Sequence, residues 1–170
     1  DVEQAVSYYL SGDSDVMNKK VFASKYEKEV FSLHEISLHN QGQSINVPLS
    51  ENSIIQLNTH ISINNNQPER YHITYHLYNE LGEAMFSFSE GNTIKKLKNG
   101  MNKVSCLFPA SFFQSGQYYL SIFVVEDRRK SIFSEKDIIS FTIVDGGRDV
   151  GVYMGREPGY IKPQFEWSFE

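Results

Sequence analysis

From Val30 onward, apolar and polar residues alternate with a period of two along most of the chain. This period is typical of β-strands that bury one face. Clusters of Asn, Gly, Asp and Pro separate the alternating runs and favour turns. The pattern predicts strands at 30–39, 44–48, 53–64, 70–79, 84–89, 103–108, 117–125, 137–144 and 159–169. About nine short strands with no helical segment between them predict an all-β antiparallel sandwich, either immunoglobulin-like or jelly-roll.

The first residues follow a different period. Within residues 1–10, apolar side chains recur at helical spacing, and Ser11-Gly12 offers a stop. Residues 11–29 are polar and predict a linker. We therefore expect a short N-terminal helical segment and linker over 1–29, followed by one sandwich domain over 30–170.

Alternation also assigns the two faces of each predicted strand, because successive side chains point to opposite sides of a sheet. One face is apolar and is the expected core. Its members are Ile55, Leu57, Ile61, Ile63, Tyr71, Ile73, Tyr75, Leu77, Leu120, Ile122, Val124, Ile139, Phe141 and Ile143.

The opposite face is polar and aromatic, and it is the main candidate for a binding site. Its candidate residues are Asn58, His60, His72, Thr74, His76, Tyr78, Tyr119, Ser121 and Phe123. Aromatic rings can cover the apolar faces of sugar rings, while amide, hydroxyl and imidazole groups donate and accept hydrogen bonds as sugar hydroxyls do. The set predicts a carbohydrate-binding surface if its strands lie in one sheet. An ordinary solvated sheet face is the alternative.

The segment from Gly100 to Val125 predicts a strand, a short connection and a second strand. Asn99-Gly100 is a turn signal, Pro109 ends the first run and Gly116 precedes the second. The segment carries no catalytic constellation. We interpret it as scaffold for a binding surface.

Composition and charge exclude several classes of protein. The 170 residues carry a net charge of −5, which argues against binding nucleic acid through its phosphates. The basic run at Lys95, Lys96 and Lys98 is predicted to be a solvated loop. The single cysteine, Cys106, excludes an internal disulfide, and no apolar run approaches the length of a membrane span.

No catalytic or metal-binding motif stands out, so we expect a protein that is not an enzyme and binds neither metal nor cofactor. His72 and His76 would lie about 13 Å apart along one strand, too far to share a zinc ion. The pair Glu126-Asp127 is followed by two arginines and predicts a charged loop tip. Two carboxylates facing one cleft, as a glycosidase needs, are not excluded.

The C-terminal part combines a glycine-rich tract at 146–159 with an aromatic segment. Phe165, Trp167 and Phe169 alternate and would therefore share one face of a strand. A terminal strand behind a glycine-rich hinge is suited to pairing with a second subunit. The alternative is that it joins its own sheet.

Three features, in this order along nearly the whole chain, carry a family resemblance. They are the entry segment VSYYLSGD; the pattern Gly100-x-x-x-Val104, Phe108-Pro109 and Gly116-x-Tyr118; and the ending with Val144-Asp145, Gly151 and Trp167. Together they resemble the C-terminal domain of Wzt, the nucleotide-binding subunit of polysaccharide ABC exporters. The ATPase motifs are absent, so no ATP-site residue transfers, and no glycan-binding residue transfers by motif.

The resemblance implies a non-catalytic carbohydrate-binding module on the cytoplasmic face of the bacterial inner membrane. Such a module recognises a lipid-linked O-antigen polysaccharide, often through its non-reducing end, before export. The implied partners are a preceding ATPase domain in the same chain, the transporter's membrane subunit and a second copy of the chain. The family's domain dimerises by exchanging its C-terminal strand, which would place Phe165, Trp167 and Phe169 in the dimer.

Two alternatives from other classes remain at this point, a purely structural dimerisation module and a glycan-processing enzyme. The sequence does not name the sugar, its linkage or a terminal cap. If the ligand carried an anionic cap, we would expect its contacts among the loop cations Arg128, Arg129, Lys95 and Arg156.

Overall fold

Two β-sheets pack face to face in the computed structural model, which describes residues 18–23, 25–147 and 158–169. The strands are β1 (Lys19–Val21), β2 (Phe31–Asn40), β3 (Leu49–Ser50), β4 (Ile55–Ile63), β5 (Tyr71–Asn79), β6 (Ala84–Ser89), β7 (Gly100–Phe108), β8 (Gly116–Glu126) and β9 (Lys130–Val144). Two short 3-10 turns lie at Pro68–Arg70 and Glu90–Asn92. The predicted β-sandwich is therefore confirmed. The expected helical segment lies outside the described residues.

One sheet has four strands in the order β1-β2-β4-β7, and the other has five in the order β3-β9-β8-β5-β6. Neighbouring strands are antiparallel, except that the short β3 runs parallel to β9. No helix in the described part of the chain is long and apolar enough to cross a membrane.

The core lies between the two sheets, and every residue of the predicted core set is buried there. A hydrogen bond between Thr59 of β4 and Tyr75 of β5, 2.7 Å long, joins the sheets inside this core. The remaining core is rich in aromatic rings. Phe113, for example, contacts Phe108 and Tyr118 with ring centroids 5.0 and 5.1 Å apart. Much of the high aromatic content is thus used for packing.

Both strands predicted at Gly100–Val125 are present, as β7 and β8, but they do not pair with each other. β7 pairs with β4 in the four-stranded sheet, whereas β8 pairs with β5 and β9 in the other sheet. The connection between β7 and β8 therefore crosses from one sheet to the other, and buried Phe113 anchors it. Local pattern predicted both strands correctly but not their partners, because partners depend on contacts that are distant in sequence.

The observed strand boundaries differ most from the predicted ones in three places within the sandwich. β1 lies within the predicted linker, and β3 follows the predicted strand at 44–48 rather than coinciding with it. β9 begins at Lys130, seven residues before the predicted start, and forms a tight turn with β8. Asp127 and Arg128 occupy left-handed backbone conformations in that turn, with φ of 53° and 57°.

The C-terminal segment starts against the body of its own domain and then leaves it. Ile161 forms an isolated bridge with Phe113, and the amide of Lys162 donates to the carbonyl of Phe112. Residues 163–169 form no strand ladder with any described residue. The strand predicted at 159–169 is therefore reduced to this short contact.

Candidate binding surface

The structure divides the predicted site residues between the two outer faces of the sandwich. His72, Thr74, His76 and Tyr78 alternate along β5, and Tyr119, Ser121 and Phe123 lie on the adjacent β8. Asn58 and His60 lie on β4, in the opposite sheet. The condition that all these strands share one sheet is met for β5 and β8 but not for β4.

An aromatic group occupies the outer face of the five-stranded sheet. It consists of His76, Tyr78, Tyr119 and Phe123, which we call the aromatic face. The rings of His76 and Phe123 have centroids 4.4 Å apart, and those of His76 and Tyr78 are 6.5 Å apart. Tyr78 and Tyr119 lie directly opposite each other on β5 and β8. All four side chains are partly exposed, so their rings are accessible from solvent.

Small hydroxyl side chains lie on the strands that flank the aromatic face. Ser87 of β6 is paired with His76, and on β9 Ser134 is paired with Phe123 and Ser140 with Tyr119. All three serines are exposed. Aromatic rings bordered by groups that donate and accept hydrogen bonds can bind a ligand with both apolar faces and hydroxyls. Sequence reasoning did not select Ser87 or Ser134, because their strand partners were unknown.

Ser121 is not on the accessible surface, although its position in the alternation predicted that it would be. It is 1% exposed, and its hydroxyl oxygen accepts a hydrogen bond from the amide of Asp137, 3.1 Å away. The pairing of β8 with β9 shifts register beside it, and Asp137 has a φ of 50°. The resulting bulge in β9 closes over Ser121, which makes this residue structural.

Asn58 and His60 belong to a separate polar network on the outer face of the four-stranded sheet. The side-chain oxygen of Asn58 accepts hydrogen bonds from Gln56 (2.9 Å) and from Ser105 (2.7 Å). His60 is paired across strands with Lys103 on one side and Glu35 on the other. These residues lie on the opposite side of the sandwich from the aromatic face and cannot contact the same sugar unit.

The outward-facing residues of β5 form a row from His72 to Tyr78. At the His72 end, this row meets two loops that carry cations. Lys96 and Arg128 approach His72 there, around the buried Gly91, and we call His72, Lys96 and Arg128 the cationic corner. They line a pocket of about 280 Å³. The pKa of His72 is lowered, first by burial and then by the charges of Arg128 and Lys96.

A larger groove of about 1010 Å³ continues from this corner along β7. Lys95, Lys96, Lys98 and Lys103 line it, together with Ile94, which is fully exposed. The basic run was predicted to be a solvated loop, and its side chains are indeed exposed. Nothing in the sequence indicated that Lys96 and Arg128 donate to the same carbonyl oxygen, that of Gly91, because the two residues are 32 positions apart. Among the described residues, no group of three or more His, Cys, Asp and Glu side chains is placed to hold a metal ion.

No family model and no curated protein matches this chain. Among solved structures, it is similar to the crystal structure of the C-terminal domain of Wzt, with a TM-score of 0.61. The similarity covers 85% of this chain and 91% of the other, at 12% sequence identity. At that identity the comparison establishes the fold alone. The resemblance inferred from the sequence is thus confirmed as a resemblance of fold.

Proposed function

We propose that this protein is a non-catalytic carbohydrate-binding module that recognises a polysaccharide. The observation that carries the proposal is the aromatic face, in which His76 and Phe123 are in ring contact and exposed serines lie alongside. The similarity in fold to the C-terminal domain of Wzt supports the same proposal.

Binding would combine stacking on rings with hydrogen bonds from hydroxyl and imidazole groups. Tyr78, Tyr119 and Phe123 offer aromatic surface, and His76 offers both a ring and a hydrogen-bonding nitrogen. These groups project from paired strands β5 and β8, so they are held in position before the ligand arrives. A preformed surface loses little conformational entropy on binding.

We further propose, from the family resemblance, that the ligand is a lipid-linked O-antigen polysaccharide recognised through its non-reducing end. The module would then act in export by an ABC transporter, at the cytoplasmic face of the bacterial inner membrane. An ATPase domain of the same chain and the transporter's membrane subunit would be its partners.

The C-terminal segment supports a proposed homodimer with strand exchange. Phe165, Trp167 and Phe169 are 69%, 80% and 94% exposed, although aromatic side chains are normally buried. Residues just before them are fixed: the carbonyl of Tyr160 accepts from the Tyr118 hydroxyl (2.9 Å), and Lys162 lies 3.4 Å from buried Glu51. An anchored segment with an exposed aromatic end is suited to pairing with a second copy. A purely structural dimerisation module is therefore the second candidate function.

Binding to an array of bacterial O-polysaccharides, with His76→Ala beside the wild-type protein, tests the proposed function. Asn58→Ala is the matched control, since it removes a polar side chain from the opposite outer face. We expect the wild type and the control to bind the same glycan and His76→Ala to bind it at least about tenfold more weakly. Absence of binding together with an intact dimer would favour the structural module, and turnover of a glycan would favour an enzyme.

A further inference from the structure

Two cationic side chains converge on one backbone oxygen at the cationic corner. Lys96 Nζ and Arg128 Nη2 each donate a hydrogen bond to the carbonyl of Gly91, at 2.8 Å in both cases. Lys96 Nζ also donates to the carbonyl of Thr93, at 2.9 Å. Backbone carbonyls thus hold two positive charges close together, although like charges repel.

In the part of the chain that the structure describes, neither Lys96 nor Arg128 forms an ion pair with a carboxylate. Asp127 is engaged by Arg70, with which it makes two hydrogen bonds of 2.9 and 2.6 Å. The carboxylate of Glu90 accepts from the amide of Ile73 at 3.0 Å. Its charge interacts with that of Lys96, but the two groups form no ion pair. Glu69, which also lines the pocket, is exposed and forms no ion pair with either cation.

His72 completes the corner and connects it to the aromatic face. Its ring packs so closely on Gly91 that a Cβ at that position would lie 3.0 Å from the ring carbons. The lowered pKa leaves His72 uncharged at neutral pH, when its N–H can still donate a hydrogen bond to an anion. His72 shares the outer side of β5 with His76 and Tyr78, and the row from Tyr78 to His72 is about 20 Å long.

We propose that the cationic corner is an oxyanion site for a charged group of the ligand, either a sugar carboxylate or a sugar phosphate. The inference rests on the proposed carbohydrate function and narrows its ligand class to acidic glycans. A glycan lying along β5 would place its uncharged rings on the aromatic face and its anionic group between Lys96 and Arg128. Charge-assisted hydrogen bonds from these two side chains would offset their mutual repulsion.

Titrations of inorganic phosphate and of galacturonate, followed by NMR at the His72 ring and the Gly91 amide, test the proposal. Galactose at the same concentration is the uncharged control, and ionic strength is held constant because salt screens exposed charges. Lys96→Gln and Arg128→Gln are compared with Lys95→Gln and Arg129→Gln. Lys95 and Arg129, which the sequence also offered as contacts of an anionic cap, do not line the smaller pocket, so each control removes the same charge one residue away from the proposed site.

We expect saturable shifts with at least one anion and none with galactose. Lys96→Gln and Arg128→Gln should each weaken anion binding about tenfold, and the two controls should change it less than twofold. If only phosphate or only galacturonate gives saturable shifts, that probe identifies the anionic group that the site binds. Absence of saturable shifts, or equal weakening by all four variants, would overturn the proposal.

The same variants separate this inference from the proposed function. A glycan that binds the aromatic face equally well with and without Lys96→Gln would refute the oxyanion site alone. Saturable anion binding in a protein that binds no glycan would refute the carbohydrate function alone.

Discussion

The imidazole of His76 packs against the phenyl ring of Phe123, with centroids 4.4 Å apart and planes inclined by 42°. The two residues are diagonal neighbours, since β5 and β8 pair His76 with Ser121 and Thr74 with Phe123. Diagonal neighbours in a sheet are within reach of aromatic side chains. Ser121 is small and buried, so it does not separate the two rings. One buried serine thus contributes indirectly to a continuous aromatic surface.

Phe123→Ala tests whether this aromatic contact serves binding. We expect glycan affinity to fall about tenfold, because one stacking surface is lost and His76 loses the ring that supports it. Isothermal titration with the glycan found by array screening measures the change. Leu107→Ala is the control, as Leu107 is 51% exposed on β7 in the opposite sheet. Equal affinity in both variants would contradict a role for the aromatic face.

Much of the fold could be predicted from sequence because burial imposes the period of two. β5 illustrates this well: Tyr71, Ile73, Tyr75 and Leu77 are buried and the residues between them are partly exposed. This alternation can be predicted without knowing which strands pair with β5. The same reasoning placed His76, Tyr78, Tyr119 and Phe123 on an outward face.

The rest of the site depends on long-range geometry that a local pattern does not contain. Asn58 shares the alternation of His76, yet β4 lies in the other sheet. Ser121 is kept off the surface by a bulge in β9 at Asp137. Asp137 has a left-handed backbone conformation, and no glycine nearby in the sequence indicated it. Lys96 and Arg128 come together only because their side chains, from two different loops, donate to the same carbonyl oxygen of Gly91.

Removing residues 163–170 tests the proposed dimer. The truncation keeps Tyr160, Ile161 and Lys162, which contact the body of the domain, and removes the three exposed aromatic side chains. We expect sedimentation velocity to change from dimer to monomer, with little loss of thermal stability. Ile94→Ser, which removes an equally exposed apolar side chain from a loop, should remain dimeric. A truncated protein that stays dimeric would refute strand exchange.

His72 should titrate below its ordinary pKa of about 6.5, because burial and the charges of Arg128 and Lys96 disfavour its protonated form. The unfolded chain then binds this proton more tightly than the folded one. Protonation of His72 therefore favours unfolding as the pH falls below about 6.5, and the stability is fully present above that pH.

NMR titration of the His72 ring measures this shift directly. Lys96→Gln should move the pKa of His72 upward, since it removes one neighbouring positive charge. Lys95→Gln should leave it close to the wild-type value. A pKa of His72 that does not respond to Lys96→Gln would place Lys96 too far from the ring to act with it on one anion.

Tyr75 and Thr59 provide a test of the core that is independent of any ligand. Their hydroxyls share a 2.7 Å hydrogen bond between the sheets, and both residues are buried. Tyr75→Phe leaves the Thr59 hydroxyl without this partner and should lower the free energy of unfolding by about 1–3 kcal/mol. Thr59→Val should cost a similar amount.

Combining Tyr75→Phe with Thr59→Val should cost less than the sum of the two single changes. Replacing both partners of a buried hydrogen bond with apolar groups of similar shape is often nearly neutral, because no polar group remains unsatisfied. Urea unfolding of the four proteins completes the double-mutant cycle, and an unchanged m-value confirms that the unfolding transition is the same. Additive costs would mean that each hydroxyl is satisfied by another group and that this bond does not couple the two sheets.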